Sequence, residues 1–157
     1  MIMLDFYTIS QQILSNLQQE DSIILATSLN NKVTSRTIGH VICESSIYFQ
    51  TDKRSEKYNQ IKSNRNIALS VKNIQIEALA EIIGHPTQDS NFLQLYKKRF
   101  PDSYAKYTNL ADEVLIKVII TKAKLYTYIA DEPYLDIVDF IDKIAYREPV
   151  EYISTKS

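Results

Sequence analysis

The segment IYFQTDKRSEKYNQIKSN, from Ile47 to Asn64, predicts a strand that runs directly into the first turn of a helix. Its apolar start is typical of a strand, and Ser55 stands where a helix N-cap is expected. The first turn of a helix exposes unpaired backbone N–H groups and a partial positive charge. With the hydroxyls of Thr51 and Ser55 and the ammonium of Lys57 nearby, the segment suits a phosphate group. The alternative is the commoner arrangement, a capped surface helix with solvated charges.

Length and composition indicate a single globular domain over residues 1–157. The chain is 45% hydrophobic and 24% charged, and its net charge of −1 does not favour binding to nucleic acid. No apolar run approaches the ~18 residues of a membrane span. The N-terminal MIMLDFYTIS lacks the basic region of a signal peptide. We therefore expect a cytoplasmic protein that contacts neither nucleic acid nor membrane.

The scarcity of glycine and histidine excludes several kinds of site. Gly39 and Gly84 are the only glycines, so neither a phosphate-binding P-loop nor a G-x-G-x-x-G dinucleotide turn can be written. His40, His85 and Cys43 show no H-E-x-x-H or C-x-x-C spacing, and we predict no metal site. One cysteine excludes an intrachain disulfide. No G-x-S-x-G motif supports a hydrolase.

Hydrophobic spacing divides the chain into a packing helix at about 5–20, a β-rich region at about 21–130 and a tail at 131–157. The helix is predicted by an apolar stripe of Phe6, Ile9, Ile13, Leu14 and Leu17, with Thr8 and Gln11 in the form of a capping box. In the tail, apolar residues from Leu135 to Ala145 fit a short closing helix. The region between holds the strands.

The β-rich region reads as strands with short connections. Asn30-Asn31 separates SIILATS from KVTSRTIGHVIC and suits a tight hairpin. Residues 74–82 alternate, residues 92–100 fit a helix, and residues 112–127 fit two strands or one bent strand with a break near Thr121. Short connections require antiparallel pairing. We predict a mainly β fold of the α+β class, a six- to seven-stranded antiparallel barrel with peripheral helices.

Arg36 stands out in the second of these strands. It shares a strand with small and apolar residues, so a buried guanidinium there would need an anionic partner. The alternative is an exposed strand cation.

Three motifs in order, ATSLNNKVTSRTIGHV, IYFQTDKRSEKYNQIKSN followed by NIALSV, and NIQIEALAEIIGHP, resemble the pyridoxamine 5'-phosphate oxidase-like family of FMN-binding split barrels. The resemblance covers roughly residues 22–128. It implies a split β-barrel that forms a homodimer, with FMN in a cleft at the subunit interface.

The resemblance also implies which residues meet the cofactor. They are Arg36, Thr37, Ile38, Gly39, His40, Val41, Gln50, Thr51, Ser55, Lys57, Asn73 and Tyr126. Arg36 and the backbone of 37–41 would lie along the flavin and its ribityl chain, and Gln50 and Thr51 would flank the ring and that chain. Ser55 and Lys57 would hold the phosphate. Asn73 would come from the partner subunit.

The sequence also departs from the oxidase proper. Val41 and Glu56 stand where the enzyme has a second cation and an arginine, so Glu56 must point away from a phosphate, or the anion is held less tightly. The chain contains no tryptophan, and Tyr126 falls near the place of the oxidase's C-terminal one. The tail segment DEPYLDIVDFIDK is acidic where a substrate phosphate would need cations. We therefore expect the protein not to oxidise pyridoxamine phosphate.

Three functions remain open at this point. The first is an FMN-dependent oxidoreductase of a small molecule, with no catalytic residue assigned, although Tyr126, His40 or His85 would donate a proton if it lined the cleft. The second is a non-catalytic flavin or haem carrier or sensor, with His40 or His85 as an iron ligand. The third is an interaction module without a cofactor.

Overall fold

The chain reverses between its first two long strands at Asn30 and Asn31, which adopt positive φ angles of 51° and 66°. Asparagine tolerates this conformation better than most residues.

The computed structural model of the protein describes residues 1–151, and all of the following concerns that part of the chain. The strands are β1 (Ile2–Leu4), β2 (Ile23–Leu29), β3 (Lys32–Ile38), β4 (Val41–Cys43), β5 (Ser46–Asp52), β6 (Asn66–Val71), β7 (Ile74–Gly84), β8 (Glu113–Ile129), β9 (Glu132–Asp139) and β10 (Ile144–Pro149). The helices are α1 (Phe6–Gln19), α2 (Glu56–Ser63), α3 (Ser90–Arg99) and α4 (Pro101–Tyr107), and a 3-10 turn covers Pro86–Gln88.

Strand β8 organises the sheet. It pairs along one edge with β7, and its other edge pairs first with β5 and then with β9. From β8 the sheet continues through β7, β6, β2 and β3 in one direction and through β9, β10 and β1 in the other. All these pairs are antiparallel. The predicted antiparallel split barrel with peripheral helices is confirmed, although residues 1–151 form ten strands and the sheet does not close.

The predicted break near Thr121 is a bulge within one bent strand. Lys122 of β8 lies opposite Glu77 of β7 and Ile120 lies opposite Ala78, so Thr121 has no opposite residue. Its hydroxyl donates to the Glu77 carbonyl at 3.0 Å. A bulge bends a strand and increases its twist without ending it.

Helix α1 packs on the core as its apolar stripe predicts. Ile13, Leu14 and Leu17 are buried, and Phe6 and Ile9 are half-buried against them. The cap is Asp5 and not Thr8: the Asp5 carboxylate accepts the backbone N–H of Thr8 at 2.8 Å. No helix among residues 1–151, α1 with its 14 residues included, is long and apolar enough to cross a membrane.

The side chains of His40 and Arg99 hold the C-terminal end of α1. The Nε2–H of His40 donates to the carbonyl of Leu17 at 2.7 Å, and Arg99 of α3 donates to the carbonyls of Gln18, at 2.7 Å, and Glu20. Burial lowers the pKa of His40, which keeps the imidazole neutral and leaves Nε2 as the donor. The junction of β3 and β4 is thereby fixed to α1.

The tail does not form the predicted closing helix. Strands β9 and β10 form a hairpin there, and β1 pairs with β10 at the edge of the sheet. The helical prediction was wrong because the second half of β8 leaves backbone groups that a new strand satisfies. Asp136 and Arg147 lie opposite each other in the hairpin and form a bidentate pair at 2.6 and 2.9 Å. The last part of the predicted tail, residues 152–157, lies outside the described residues.

Arg147→Met should destabilise the fold by roughly 2 kcal/mol, because it leaves the buried carboxylate of Asp136 without its partner. The double variant Asp136→Asn/Arg147→Met should recover most of this loss. Urea unfolding followed by circular dichroism gives both free energies of unfolding. Equal stability of Arg147→Met and the unmodified protein would show that the ion pair does not hold the hairpin.

Candidate anion and cofactor site

The loop between β5 and α2 is held in one conformation by its own polar groups. Ser55 is the N-cap of α2: its Oγ accepts the N–H of Tyr58 at 3.3 Å and lies 3.2 Å from Oγ1 of Thr51. Asp52 accepts hydrogen bonds from Arg54, through the backbone N–H at 2.7 Å and the guanidinium at 2.7 and 3.0 Å. These bonds lower the pKa of Asp52 to about 2. The loop therefore presents two hydroxyls at the positive end of a helix.

Arg36 extends from β3 into a set of hydroxyl groups. Its guanidinium donates to Oγ1 of Thr27 at 2.7 Å and to Oγ1 of Thr34 at 2.5 Å. Both threonine hydroxyls donate in turn to Oε1 of Gln60, which is buried on α2. This network fixes the arginine and attaches α2 to the β2–β3 hairpin. We call Thr27, Thr34, Arg36 and Gln60 the arginine network.

Arg36 lies close enough to Lys57 for its charge to act on the ammonium. Burial lowers the pKa of Lys57 and the positive charge of Arg36 lowers it further, against a smaller opposing effect of Glu113 and Asp52. Burial also lowers the pKa of Arg36. Within residues 1–151, no carboxylate lies within 4.0 Å of the Lys57 ammonium, and Arg36, 22% exposed, has only Glu56 at 3.9 Å. Two neighbouring, partly buried cations without a close ion pair favour an anion.

Glu56 does not point away from this site. Its carboxylate lies 3.3 Å from Nζ of Lys32 and 3.9 Å from Nη2 of Arg36. The side chain is 55% exposed. Of the two arrangements that the sequence left open, the structure therefore has the one in which a carboxylate stays beside the cations.

Gln50 adds a buried amide one residue before Thr51. Its Oε1 accepts the hydroxyl of Thr108 at 3.2 Å, and its Nε2 is buried without a hydrogen-bond partner among residues 1–151. The buried Nε2–H donor of Gln50 is costly without a partner and suggests that a ligand supplies the acceptor.

Nearby, burial and the charge of Asp52 raise the pKa of Glu113, which lies opposite Asp52 in the sheet.

The segment from Thr37 to Val41 turns most of its side chains inward. Ile38, His40 and Val41 are buried, Gly39 is half-buried and Thr37 is exposed. A Cβ at Gly39 would stand 3.1 Å from Cζ of Phe100, so this backbone packs closely on α3 and α4. The contribution expected from the backbone of 37–41 remains a prediction, while the imidazole of His40 is committed to α1.

Asn73 and Tyr126 are hydrogen-bonded to each other. The Asn73 amide donates to the Tyr126 carbonyl at 3.0 Å, and the Tyr126 N–H donates to the Asn73 carbonyl at 3.1 Å. Tyr126 lies near the far end of β8 from Val114, which is opposite Thr51. At about 3.3 Å per residue, roughly 40 Å of strand separates them. Within one chain, this pair and the cations belong to different regions.

His85 is held by both ring nitrogens. Nε2 lies 2.9 Å from the Leu110 carbonyl and Nδ1 lies 2.7 Å from the Thr87 hydroxyl. No group of three potential metal-ligating side chains occurs in the described part of the chain.

Three residues of the site were not predicted from the sequence: Thr27, Thr34 and Gln60. Thr27 and Thr34 are direct partners across the hairpin, a pairing that the Asn-Asn turn fixes once its register is known. That register would have placed both hydroxyls on the face of Arg36. Nothing in the sequence indicated that Gln60 is buried.

A shallow cavity of about 610 Å³ lies on the face of the sheet that carries Ala26, and neither Arg36 nor Lys57 lines it. Its lining includes Ala26, Ala68, Leu79 and the exposed Val33 and Ile141. Ala26 pairs with Ala68 between β2 and β6. Small and apolar side chains thus leave this face of the sheet flat and uncovered.

Solved structures with the same fold come from several proteins. ChuZ of Campylobacter jejuni aligns over 96% of this chain and 68% of its own, with a TM-score of 0.73 and 15% identity. PhzG of Burkholderia lata 383, solved with tetrahydrophenazine-1-carboxylic acid, aligns over 93% and 92%, with a TM-score of 0.63 and 11% identity. An F420 reductase aligns over 69% and 93%, with a TM-score of 0.55 and 23% identity. At these identities the similarity shows the fold alone.

No curated protein matches the chain significantly in sequence. The model of the family described as pyridoxamine 5'-phosphate oxidase matches residues 9–126. This match covers well over half of the chain and includes β2 to β7, the arginine network and the β5–α2 loop. The protein belongs to the pyridoxamine 5'-phosphate oxidase family.

Proposed function

We propose that the protein binds FMN and acts as an oxidoreductase on a small molecule. The observation that carries this proposal is the pair of neighbouring cations, Arg36 and Lys57, beside the hydroxyls of Thr51 and Ser55 at the start of α2. A phosphate monoester carries up to two negative charges and three acceptor oxygens. Charge-assisted hydrogen bonds and the helix N-terminus would stabilise it there.

The remaining residues fit a flavin. The unpartnered Nε2–H of Gln50 is a donor of the kind that the carbonyl groups and nitrogens of a flavin ring accept. The arginine network holds Arg36 in place before any ligand arrives, so binding costs little side-chain entropy. Bound flavin would supply hydride transfer, and the protein would supply its position and exclude water.

The cofactor cleft is proposed to form in a homodimer. The flat outer face of β2, β3 and β6 exposes Ile24 and Val33 and offers an apolar surface to a second copy. Asn73 lies too far along the fold to reach the cations of its own chain. In a dimer, the partner's Asn73 would approach the flavin instead.

Pyridoxamine phosphate is not the proposed substrate. The tail has one arginine, Arg147, and its guanidinium is already paired with the buried carboxylate of Asp136. It is therefore not free to bind a substrate phosphate.

A flavin carrier or sensor without turnover is the second candidate. It is favoured by the state of the two histidines: His40 is buried against α1, and both ring nitrogens of His85 are hydrogen-bonded. Neither is poised to move a proton at an open cleft. The haem variant of this candidate receives little support from either histidine: both ring nitrogens of His85 are hydrogen-bonded, and the one unpartnered nitrogen of His40 within residues 1–151, Nδ1, is buried.

Removing the phosphate contacts should weaken FMN binding. Ser55→Ala/Lys57→Ala removes a hydroxyl and a charge from the site and should cost about 3 kcal/mol, since hydrogen bonds to charged groups contribute roughly 1.5–3 kcal/mol each. Titration of FMN fluorescence measures the change. Lys62→Ala/Ser63→Ala makes the same changes at the other end of α2 and should leave the affinity unaltered. An unchanged affinity in the first variant would refute the phosphate assignment.

Redox turnover distinguishes the two candidates. Protein saturated with FMN should show the absorption bands of oxidised flavin after desalting. An oxidoreductase should lose these bands on anaerobic mixing with a nicotinamide donor faster than free FMN does, and regain them with an acceptor. If the bands disappear no faster than those of free FMN, with reduced nicotinamides and with reduced deazaflavins as donors, the carrier is favoured. Absence of flavin bands would reject both.

A further inference from the structure

We infer that Glu56 is an internal counter-ion of the anion site, which a ligand phosphate must displace, and that it sets how strongly the site prefers phosphorylated ligands. The inference rests on the proposed function and extends it to the selectivity of the site.

The contacts of Glu56 place it between two cations. One carboxylate oxygen, Oε2, lies 3.3 Å from Nζ of Lys32, and the other, Oε1, lies 3.9 Å from Nη2 of Arg36. The carboxylate therefore bridges the start of β3 and the guanidinium that the arginine network holds in place. It is the one carboxylate among residues 1–151 that lies within 4.0 Å of Arg36.

Glu56 compensates the charge of Arg36 only while no other anion is bound. Its other partners are the neutral hydroxyls of Thr27 and Thr34 and the Leu25 carbonyl at 3.5 Å. Burial lowers the pKa of Arg36 while the charge of Glu56 raises it, so Glu56 is what stabilises the charged guanidinium in the free protein. A phosphate would provide the same stabilisation with more negative charge.

Displacement of Glu56 is sterically easy and electrostatically costly. Its side chain and that of Lys32 are 55% and 69% exposed, so the carboxylate can rotate into solvent without burying a charge. While it remains beside Arg36, it repels an incoming phosphate. The site therefore binds phosphate less tightly than it would without the Glu56 carboxylate. This loss of affinity becomes smaller as ionic strength rises.

Glu56→Gln keeps the size of the side chain and removes its charge. We expect the variant to bind FMN about fivefold more tightly than the unmodified protein at low salt, a change in the range of a single exposed charge pair. The gain should shrink at high salt. Affinity for riboflavin, which has the same ring and no phosphate, should not change. Inorganic phosphate should compete with FMN more effectively in the variant.

Glu148→Gln is the matched control, since it makes the same substitution at an exposed position of β10. It should alter neither affinity. Thermal unfolding of all three proteins checks that the fold is unchanged, and a merely structural role of Glu56 at the start of α2 would alter stability without altering the ratio of FMN to riboflavin affinity.

The outcomes separate this inference from the function on which it rests. If the unmodified protein binds FMN and Glu56→Gln binds it no better, or gains equally for riboflavin, the counter-ion role is wrong and the flavin proposal stands. If neither protein binds FMN at any salt concentration tested, both are wrong.

Discussion

The backbone of β8 is the constraint on which the rest of the structure depends. A strand of 17 residues presents hydrogen-bonding groups along two edges, and groups left buried without partners would be costly. One edge pairs with β7 from Leu115 to Leu125, while the other is shared between β5 and β9. This division opens the sheet where the two partners separate. The start of β8 at Glu113 lies opposite Asp52, where β5 ends and the chain turns toward α2.

The anion site follows from that placement together with the hairpin of β2 and β3. Gln60 reaches from α2 to the hydroxyls of Thr27 and Thr34, and these hydroxyls hold Arg36. A half-buried guanidinium surrounded by neutral oxygens keeps its charge only partly compensated. Lys57 adds a second positive charge on the adjoining helix turn. The fold thus assembles a positive site from a strand and a helix that are separate in the chain.

Sequence patterns predicted the elements best where a single face is buried. The alternation from Ile74, the stripe from Ile13 to Leu17 and the Ser55 cap all describe local periodicity or local hydrogen bonding, and each appears in the structure. The helix predicted for the tail was wrong because its apolar residues fit a helix as readily as a strand. Pairing with the free edge of β8 selects the strand. The sequence also left the orientation of the Glu56 side chain undecided, because its contacts with Lys32 and Arg36 depend on how α2 packs on the hairpin.

The sequence by itself determined the class of fold, the family resemblance and the residues of the β5–α2 loop, since turns, caps and periodicity act over a few neighbouring residues. Only the tertiary structure decided which distant groups meet. It buried His40 against α1, paired Asn73 with Tyr126 and turned Arg147 to Asp136. It also joined Arg36 to Gln60 through two threonines. The physical reason is that buried polar groups must find partners across the sheet, and those partners are set by strand register and helix packing rather than by neighbours in the chain.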